Sequence, residues 1–291
     1  MIEDSNSAIY GIIGNPLAHS LSPVMHNAAF EALEVDAVYK LFPLKEEELD
    51  GFFKDLKDPS SPIFGLNVTV PYKEKVMPFL DALSPFAAKV GAVNTIVIDD
   101  KRKLTGHNTD GPGFLCHLQE LGVDITDKRI AVLGAGGSAR AILTSLCLLP
   151  ERPESIRIYN RTAQKVEDLI VELGGRMNVD ILQAVNVIED LNIELCDILI
   201  NTTTVGMQPT DPMLIDHNLL HKDMLVYDII YNPAKTLLLK EAQTIGANTT
   251  NGLGMLFYQG VLALQHWANQ EIDVGVKILM RDKLEEESYG H

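Results

Sequence analysis

Along the first hundred residues the apolar positions gather into four short runs, AIYGIIG (8–14), AVYKLFPL (37–44), IFGLNVTV (63–70) and AVNTIVID (92–99). Each is rich in β-branched or aromatic side chains and bounded by more polar stretches, a pattern that predicts strands. SPVMHNAAFEAL, between the first two, suits a helix with Ser22 as its N-cap and Pro23 at its first helical position. A second series opens at KRIAVLGAGG, where IAVL is followed by IRIYN (156–160), VDILQA (179–184), DILINT (197–202), MLVYDII (224–230) and ANTT (247–250), six strand-like runs in all. TAQKVEDLIVELGG sets Val166, Leu169, Ile170 and Leu173 at helical spacing, with Thr162 placed to cap that helix and Gly174 to stop it. Strands alternating with helices predict βαβ units. The polar, glycine-rich GHNTDGPGF separates the two series as a natural hinge. We therefore expect an N-terminal α/β domain over residues 1–108, a doubly wound parallel sheet over residues 109–251, and a cleft between them. The last helices, MLFYQGVLALQHWA and VGVKILMRDKL, are expected to return to the first domain and add residues 252–291 to it.

The 291 residues, 46% of them hydrophobic, suffice for two moderate cores. No apolar run is long enough to span a bilayer, and the opening MIEDSNSA lacks the basic and apolar regions of a signal peptide, so no membrane association is expected. Cys116, Cys147 and Cys196 are widely spaced, which argues against a zinc site or a disulfide framework and for a reducing, cytoplasmic location. The eight histidines show no metal-ligand spacing, and no metal is expected. A formal charge of -16 with no basic patch removes nucleic acid from the expected partners. An anionic small molecule must then be held by local donors.

One such set of donors is legible. GAGGSA (134–139) follows the strand IAVL and precedes the helix-compatible ARAILTSLCLL, which is G-x-G-x-x-A in its strand-turn-helix context. Gly134 permits the tight turn, Gly136 lets a pyrophosphate approach the backbone, and Ala139 allows the helix to pack closely on the strand. Ala135, Gly137 and Ser138 complete the loop at the helix N-terminus. After the next strand, NRTAQK offers Asn160, Arg161, Thr162 and Lys165 where an NAD enzyme usually places a carboxylate. A planar cation with a second charge one turn on suits a 2′-phosphate, so the expected cofactor is NADP. The plainer alternative makes Arg161 and Lys165 a solvated surface pair.

NVTVPYKEK (67–75) ends a strand-like run on Pro71 and then presents Lys73. A nicotinamide enzyme that reduces a ketone needs a positioned acid beside the hydride acceptor, and Lys73 at a strand end facing a cleft meets that need. Asn94 and Asp110 are the polar groups nearest the hinge, and a carboxylate beside the lysine would orient it. The alternatives are a Lys73 exposed in a first turn and an Asp110 that merely caps the helix running through Phe114, Leu115, Leu118 and Leu121.

Taken together, GNPLAHSLSPVMHN (14–27), GLNVTVPYKE (65–74), GAVNT (91–95), GHNTDGPGF (106–114), GAGGSARA (134–141), NRT (160–162), NTTTVGM (201–207), DIIYNP (228–233) and NGLGMLFYQG (251–260) resemble, in order, the blocks of the shikimate dehydrogenase family over nearly the whole chain. The resemblance implies an N-terminal substrate domain and a Rossmann-type cofactor domain. It also implies a catalytic pair of Lys73 and Asp110, and Ser20 and Ser22 on the substrate carboxylate. Asn67, Thr69, Asn94, Tyr231 and Gln259 would line the site for the ring hydroxyls, and Met207, Ile229, Gly252 and Met255 would lie near the nicotinamide. The implied reaction is the reversible NADPH-dependent reduction of 3-dehydroshikimate to shikimate, on the route to chorismate and the aromatic amino acids, with a homodimer left open. Asn251 departs from the family, which commonly has an acidic residue there. A related reading, a quinate/shikimate dehydrogenase using NAD or both cofactors, needs room for one more hydroxyl near Ser20 and Ser22. A dinucleotide-binding sensor without catalysis has no evident need for both Lys73 and Asp110.

Overall fold

The computed structural model describes residues 7–289. Its contacts divide the chain into two compact units: one runs to Gly113 and resumes at Leu256, and the other is Phe114–Met255.

The first unit is built on β1 (Ala8–Gly14), α1 (Ser22–Ala32), β2 (Ala37–Pro43), α2 (Leu49–Leu56), β3 (Ile63–Val68), β4 (Ala82–Leu83), α3 (Pro85–Val90), β5 (Thr95–Ile98) and β6 (Leu104–His107). α4 (Asp110–Glu120) then carries the chain into the second unit. The sheet order is β2-β1-β3-β5-β6-β4, with β1 parallel to β2 and β3, and β5 antiparallel to β3 and β6. Ile13, Leu66, Val68, Ile96 and Leu104 are buried against Phe53 and Leu56 of α2. The strands β4 and β6 have no counterpart in the sequence reading, because two residues and the short LTGH are too brief to show an alternation. Ser22 is not the N-cap of α1. That position is Leu21, Ser22 opens the helix, and the Ser22 backbone N–H donates to Ser20 Oγ at 3.4 Å, so the preceding serine supplies the acceptor.

The second unit carries β7 (Arg129–Leu133), α5 (Gly137–Leu148), β8 (Ser155–Tyr159), α6 (Gln164–Gly174), β9 (Leu182–Val185), β10 (Ile198–Asn201), β11 (Leu225–Asp228), α7 (Leu237–Ile245) and β12 (Asn248–Thr250). All six strands are parallel in the order β12-β11-β10-β7-β8-β9, the doubly wound arrangement. Both faces are covered at the centre, which is why β7, β10 and β11 read as nearly continuous apolar runs. Ile130, Val132, Ile156, Ile158, Ile198 and Ile200 pack on one face with α4, α5 and α6. Ala131, Leu133, Leu199 and Val226 pack on the other with α7. Thr162 does not cap α6: Ala163 holds that position without a side-chain bond, and the Thr162 carbonyl accepts from the N–H of Lys165 and from Asn160 Nδ2. Gly174 is the last helical residue and Gly175 the cap.

α8 (Leu253–Ala268) returns the chain to the first unit and α9 (Val274–Tyr289) packs along α1. The Trp267 indole N–H donates to the Ile96 carbonyl at 3.0 Å, and a Cβ on Gly65 would lie 2.7 Å from the Tyr10 ring and directly against the Trp267 indole. Gly65→Ala is therefore expected to lower the unfolding free energy by about 1–3 kcal/mol, read from urea titrations, with the wild-type denaturant slope retained.

Candidate active site

β3 ends at Val68, and the chain beyond it is still held to the β1 side: the Thr69 N–H reaches the Ile13 carbonyl at 2.9 Å, and the Val70 carbonyl accepts from the Asn15 N–H at 3.1 Å. The chain then turns at Pro71, and the Lys73 carbonyl accepts from the Val93 N–H at 2.7 Å, which fixes the lysine main chain beside the segment leading into β5. Lys73 Nζ lies 2.6 Å from Asp110 Oδ2, with side chains only 11% and 7% exposed. Asp110 is the first residue of α4, yet its carboxylate does not cap that helix. The Asn108 side chain accepts from the backbone N–H groups of Asp110 and Gly111, at 3.1 and 3.5 Å, and leaves the Asp110 carboxylate for the lysine. The helix N-terminus favours a negative charge there.

Asn94, just before β5, organises the surroundings. Its Nδ2 lies 2.8 Å from Asp110 Oδ1, 2.9 Å from Thr109 Oγ1 and 3.3 Å from Gln259 Oε1, while its Oδ1 accepts from the Thr109 N–H at 2.7 Å. Gln259, on α8, donates through Nε2 to the Leu256 carbonyl. The Asn94 carbonyl accepts from Asn67 Nδ2 at 3.1 Å, and Asn67 also donates to Thr95 Oγ1. Lys73, Asp110, Asn94, Gln259 and Asn67 thus form one connected network, with half-buried Thr69 two residues beyond Asn67. Ser20 and Ser22 pair at the start of α1, Ser20 half-buried and Ser22 buried. Tyr231 lies in the second unit, after β11. Sequence reasoning missed Asn108, Thr95, Thr109 and Tyr39, whose hydroxyl donates to Asn67 Oδ1 at 2.7 Å; only HNTD, as an asparagine two residues before an aspartate at a helix start, carried a readable signal.

In the second unit, Gly134 has φ +108° and a Cβ on it would meet Thr202 Oγ1, so the turn requires glycine twice over. Its N–H donates to the Tyr159 carbonyl at 2.8 Å, tying the loop to the end of β8. Gly136 is the N-cap residue of α5, with no side-chain cap, and a Cβ there would meet nothing within 4 Å. Glycine is therefore not demanded by the protein at that position, and the open side suits a ligand in contact with the backbone. Gly137 and Ser138 open the helix and Ala139 is fully buried, with Ala135 packed against the core. Arg161, Thr162 and Lys165 are exposed, Asn160 holds their turn, and the first carboxylate after β8 is Glu167. This donor set fits a dinucleotide with a 2′-phosphate.

Met207 is exposed, and the Ile229 N–H donates to the Asn201 carbonyl at 3.0 Å. A Cβ on Gly252 would overlap the Ile229 carbonyl, so these two backbones touch. Met255 is buried in the core of the unit. Asn251 serves as an acidic residue would, accepting from the Leu253 N–H at 3.1 Å, and also donates to the Ala234 carbonyl. Beneath these segments lies Asp228, fully buried, which accepts from Thr236 Oγ1 at 2.7 Å, Asn201 Nδ2 at 3.0 Å and the Ile230 N–H at 3.1 Å. It ties the end of β10 to the loop after β11.

Comparison with known proteins gives a consistent answer. Residues 12–96 match the shikimate dehydrogenase substrate binding domain family and residues 117–229 the shikimate / quinate 5-dehydrogenase family. The shikimate dehydrogenase (NADP(+)) of Methanococcoides burtonii is 42% identical over 268 residues, 92% of this chain and 95% of that one. A shikimate dehydrogenase crystallised in complex with NADP+ superposes with a TM-score of 0.86 at 36% identity, covering 98% of this chain and 96% of that one. The Thermus thermophilus shikimate 5-dehydrogenase, in complex with NADP(H) and shikimate, gives 0.81 at 32% identity over 96% and 99% of the two chains.

Burial pushes the Asp228 carboxyl up from 3.8 to about 6, against its three hydrogen bonds. The folded state therefore holds this proton more tightly than the unfolded chain does, and the stability it adds is complete below pH 3.8 and lost as pH rises through about 6. Between pH 7.5 and pH 5 this group should add about 1 kcal/mol of stability. Asp228→Asn should flatten that part of the pH dependence in urea unfolding.

Proposed function

This chain belongs to the shikimate dehydrogenase family, and from that premise we propose that Lys73 and Asp110 are the catalytic pair with which it interconverts 3-dehydroshikimate and shikimate using NADP(H). The observation that carries the assignment is the nearly dry Lys73–Asp110 pair at 2.6 Å, with Asp110 held from its other oxygen by Asn94. Two charges withdrawn from water in this way are poor contributors to stability and common in functional sites.

NADP, when bound, supplies or receives the hydride through its nicotinamide ring. Gly134, Ala135, Gly136, Gly137, Ser138 and Ala139 would hold its pyrophosphate, and Asn160, Arg161, Thr162 and Lys165 its 2′-phosphate, with Met207, Ile229, Gly252 and Met255 toward the nicotinamide end. In the reducing direction Lys73 Nζ donates a proton to the ketone oxygen as that oxygen gains negative charge, and in the oxidising direction the same nitrogen takes the hydroxyl proton back. Asp110 keeps Nζ aimed and balances the ammonium charge whenever the lysine is protonated. Ser20 and Ser22 bind the substrate carboxylate through hydroxyl donors, while Asn67, Thr69, Asn94, Tyr231 and Gln259 engage the ring hydroxyls. The unit beginning the chain, rejoined by its last helices, is thereby the substrate side and the unit with the glycine loop the NADP side. The domain limits we favour are residues 1–108 with 252–291, and 109–251. The reading places the enzyme in the cytoplasm on the route to chorismate and the aromatic amino acids. Among the described residues no helix is long and apolar enough to cross a membrane, and the three cysteines are free thiols.

Absorbance at 340 nm, with shikimate or quinate and NADP⁺ or NAD⁺, tests the assignment. Shikimate with NADP⁺ should dominate, and Lys73→Ala should lower kcat by roughly 100- to 1,000-fold with a much smaller change in KM. Comparable turnover of quinate or NAD⁺ would widen the assignment; no turnover of any pair would leave only a binding protein. Arg161→Asp should raise the KM for NADP⁺ by about 10- to 100-fold and leave NAD⁺ kinetics little changed. Equal effects on both cofactors would show that Arg161 does not read the 2′-phosphate.

A further inference from the structure

The orientation of the Asn67 amide follows from its neighbours. The Asn94 carbonyl 3.1 Å away can only accept, so the atom facing it is Nδ2, whose second hydrogen goes to Thr95 Oγ1 at 3.2 Å. Oδ1 then faces Tyr39, whose hydroxyl must donate to it, at 2.7 Å. Both Asn67 hydrogens are committed within the protein and one oxygen lone pair remains. At this position the amide offers a ligand an acceptor and no donor, so it reads a substrate hydroxyl as a donor.

Tyr39 is itself fixed with unusual care for a residue outside the sequence motifs. It lies in β2 and is 2% exposed. Its backbone N–H donates to Asn27 Oδ1 at 2.7 Å and its carbonyl accepts from Asn27 Nδ2 at 3.3 Å, so one α1 side chain brackets it. The ring lies 4.6 Å from that of His26, nearly parallel at 13°, and Trp267 packs on both. His26 is fully buried with neither ring nitrogen bonded, and burial holds its pKa down at about 3, so the stacking partner is a neutral imidazole. A phenylalanine would fill this space without burying a hydroxyl, whose desolvation must be offset by a bond.

We propose that Tyr39 is a positioning residue for substrate recognition, its hydroxyl fixing the Asn67 amide so that Oδ1 is presented to a substrate hydroxyl. The proposal rests on the reading of Asn67 as a substrate contact. Tyr39→Phe, Asn67→Ala and the double variant test it through steady-state kinetics and thermal unfolding. Tyr39→Phe should raise the KM for shikimate by roughly 3- to 10-fold, the equivalent of one ordinary hydrogen bond, with the KM for NADP⁺ within about 2-fold of the parent. In the Asn67→Ala background the same change should add nothing to the shikimate KM, because the group it acts through is gone. An unchanged shikimate KM in Tyr39→Phe, an equal shift for NADP⁺, or an effect that persists in full without the Asn67 side chain would overturn the proposal, whatever happens to the melting temperature. A parent enzyme that turns over no shikimate would instead overturn the functional reading and this proposal with it.

Discussion

A lysine and an aspartate held 2.6 Å apart and almost out of water impose the conditions that the rest of the first unit meets. Withdrawing two charges from solvent costs several kcal/mol per ion unless each remaining lone pair and proton is satisfied. Every nearby element contributes to that end. The turn after β3 directs Lys73 inward, Asn108 relieves Asp110 of the duty of capping α4, and Asn94 bonds the carboxylate oxygen that the lysine leaves open. A network in which each member has a partner is rigid, and rigidity is what a proton donor needs if it is to meet a developing charge without reorganising.

The second unit presents backbone rather than side chains, a glycine loop at the start of α5 in place of a buried ion pair. The protein itself requires glycine at position 134, where the φ and the nearby threonine exclude anything larger. At position 136 nothing in the protein excludes a Cβ, and under the proposed function the glycine there leaves room for a pyrophosphate against the backbone. Asp228, buried under the adjoining loops, is the counterpart of Asn94: one side chain joining segments that leave neighbouring strands.

How much of this was legible in the chain follows from the range of the interactions involved. The parallel sheet was readable because strands covered on both faces are continuous apolar runs, and the glycine loop because strand, turn and helix are contiguous. β4 and β6 escaped because pairing, not pattern, makes them strands. The starts of α1 and α6 lie one residue from their expected places, α1 opening earlier and α6 later. Both caps fall on residues with no capping side chain, Leu21 and Ala163, so the boundaries are set by backbone dihedrals that residue type does not announce. Lys73 and Asp110 were readable as residue types beside a strand end and a helix start. The bond between them spans 37 positions, and nothing local announces it.

Asn94 shows why such a site resists reading residue by residue. Its side chain orients the aspartate and its carbonyl orients Asn67, so one backbone position governs both the Asp110 carboxylate and a neighbouring amide on β3. A side chain can be exchanged in a sequence, but a carbonyl cannot, and half of what Asn94 contributes is therefore invisible to any comparison of residue types. Its placement depends instead on the Asn94 N–H reaching the His107 carbonyl at 3.1 Å and the Val68 N–H reaching its own carbonyl at 2.8 Å, main-chain bonds that join β3, β5 and β6. The sheet and the site are in this respect a single structure. A substitution that shifted the pairing of these strands would misdirect Asp110 and Asn67 together, while leaving every recognised site residue in place.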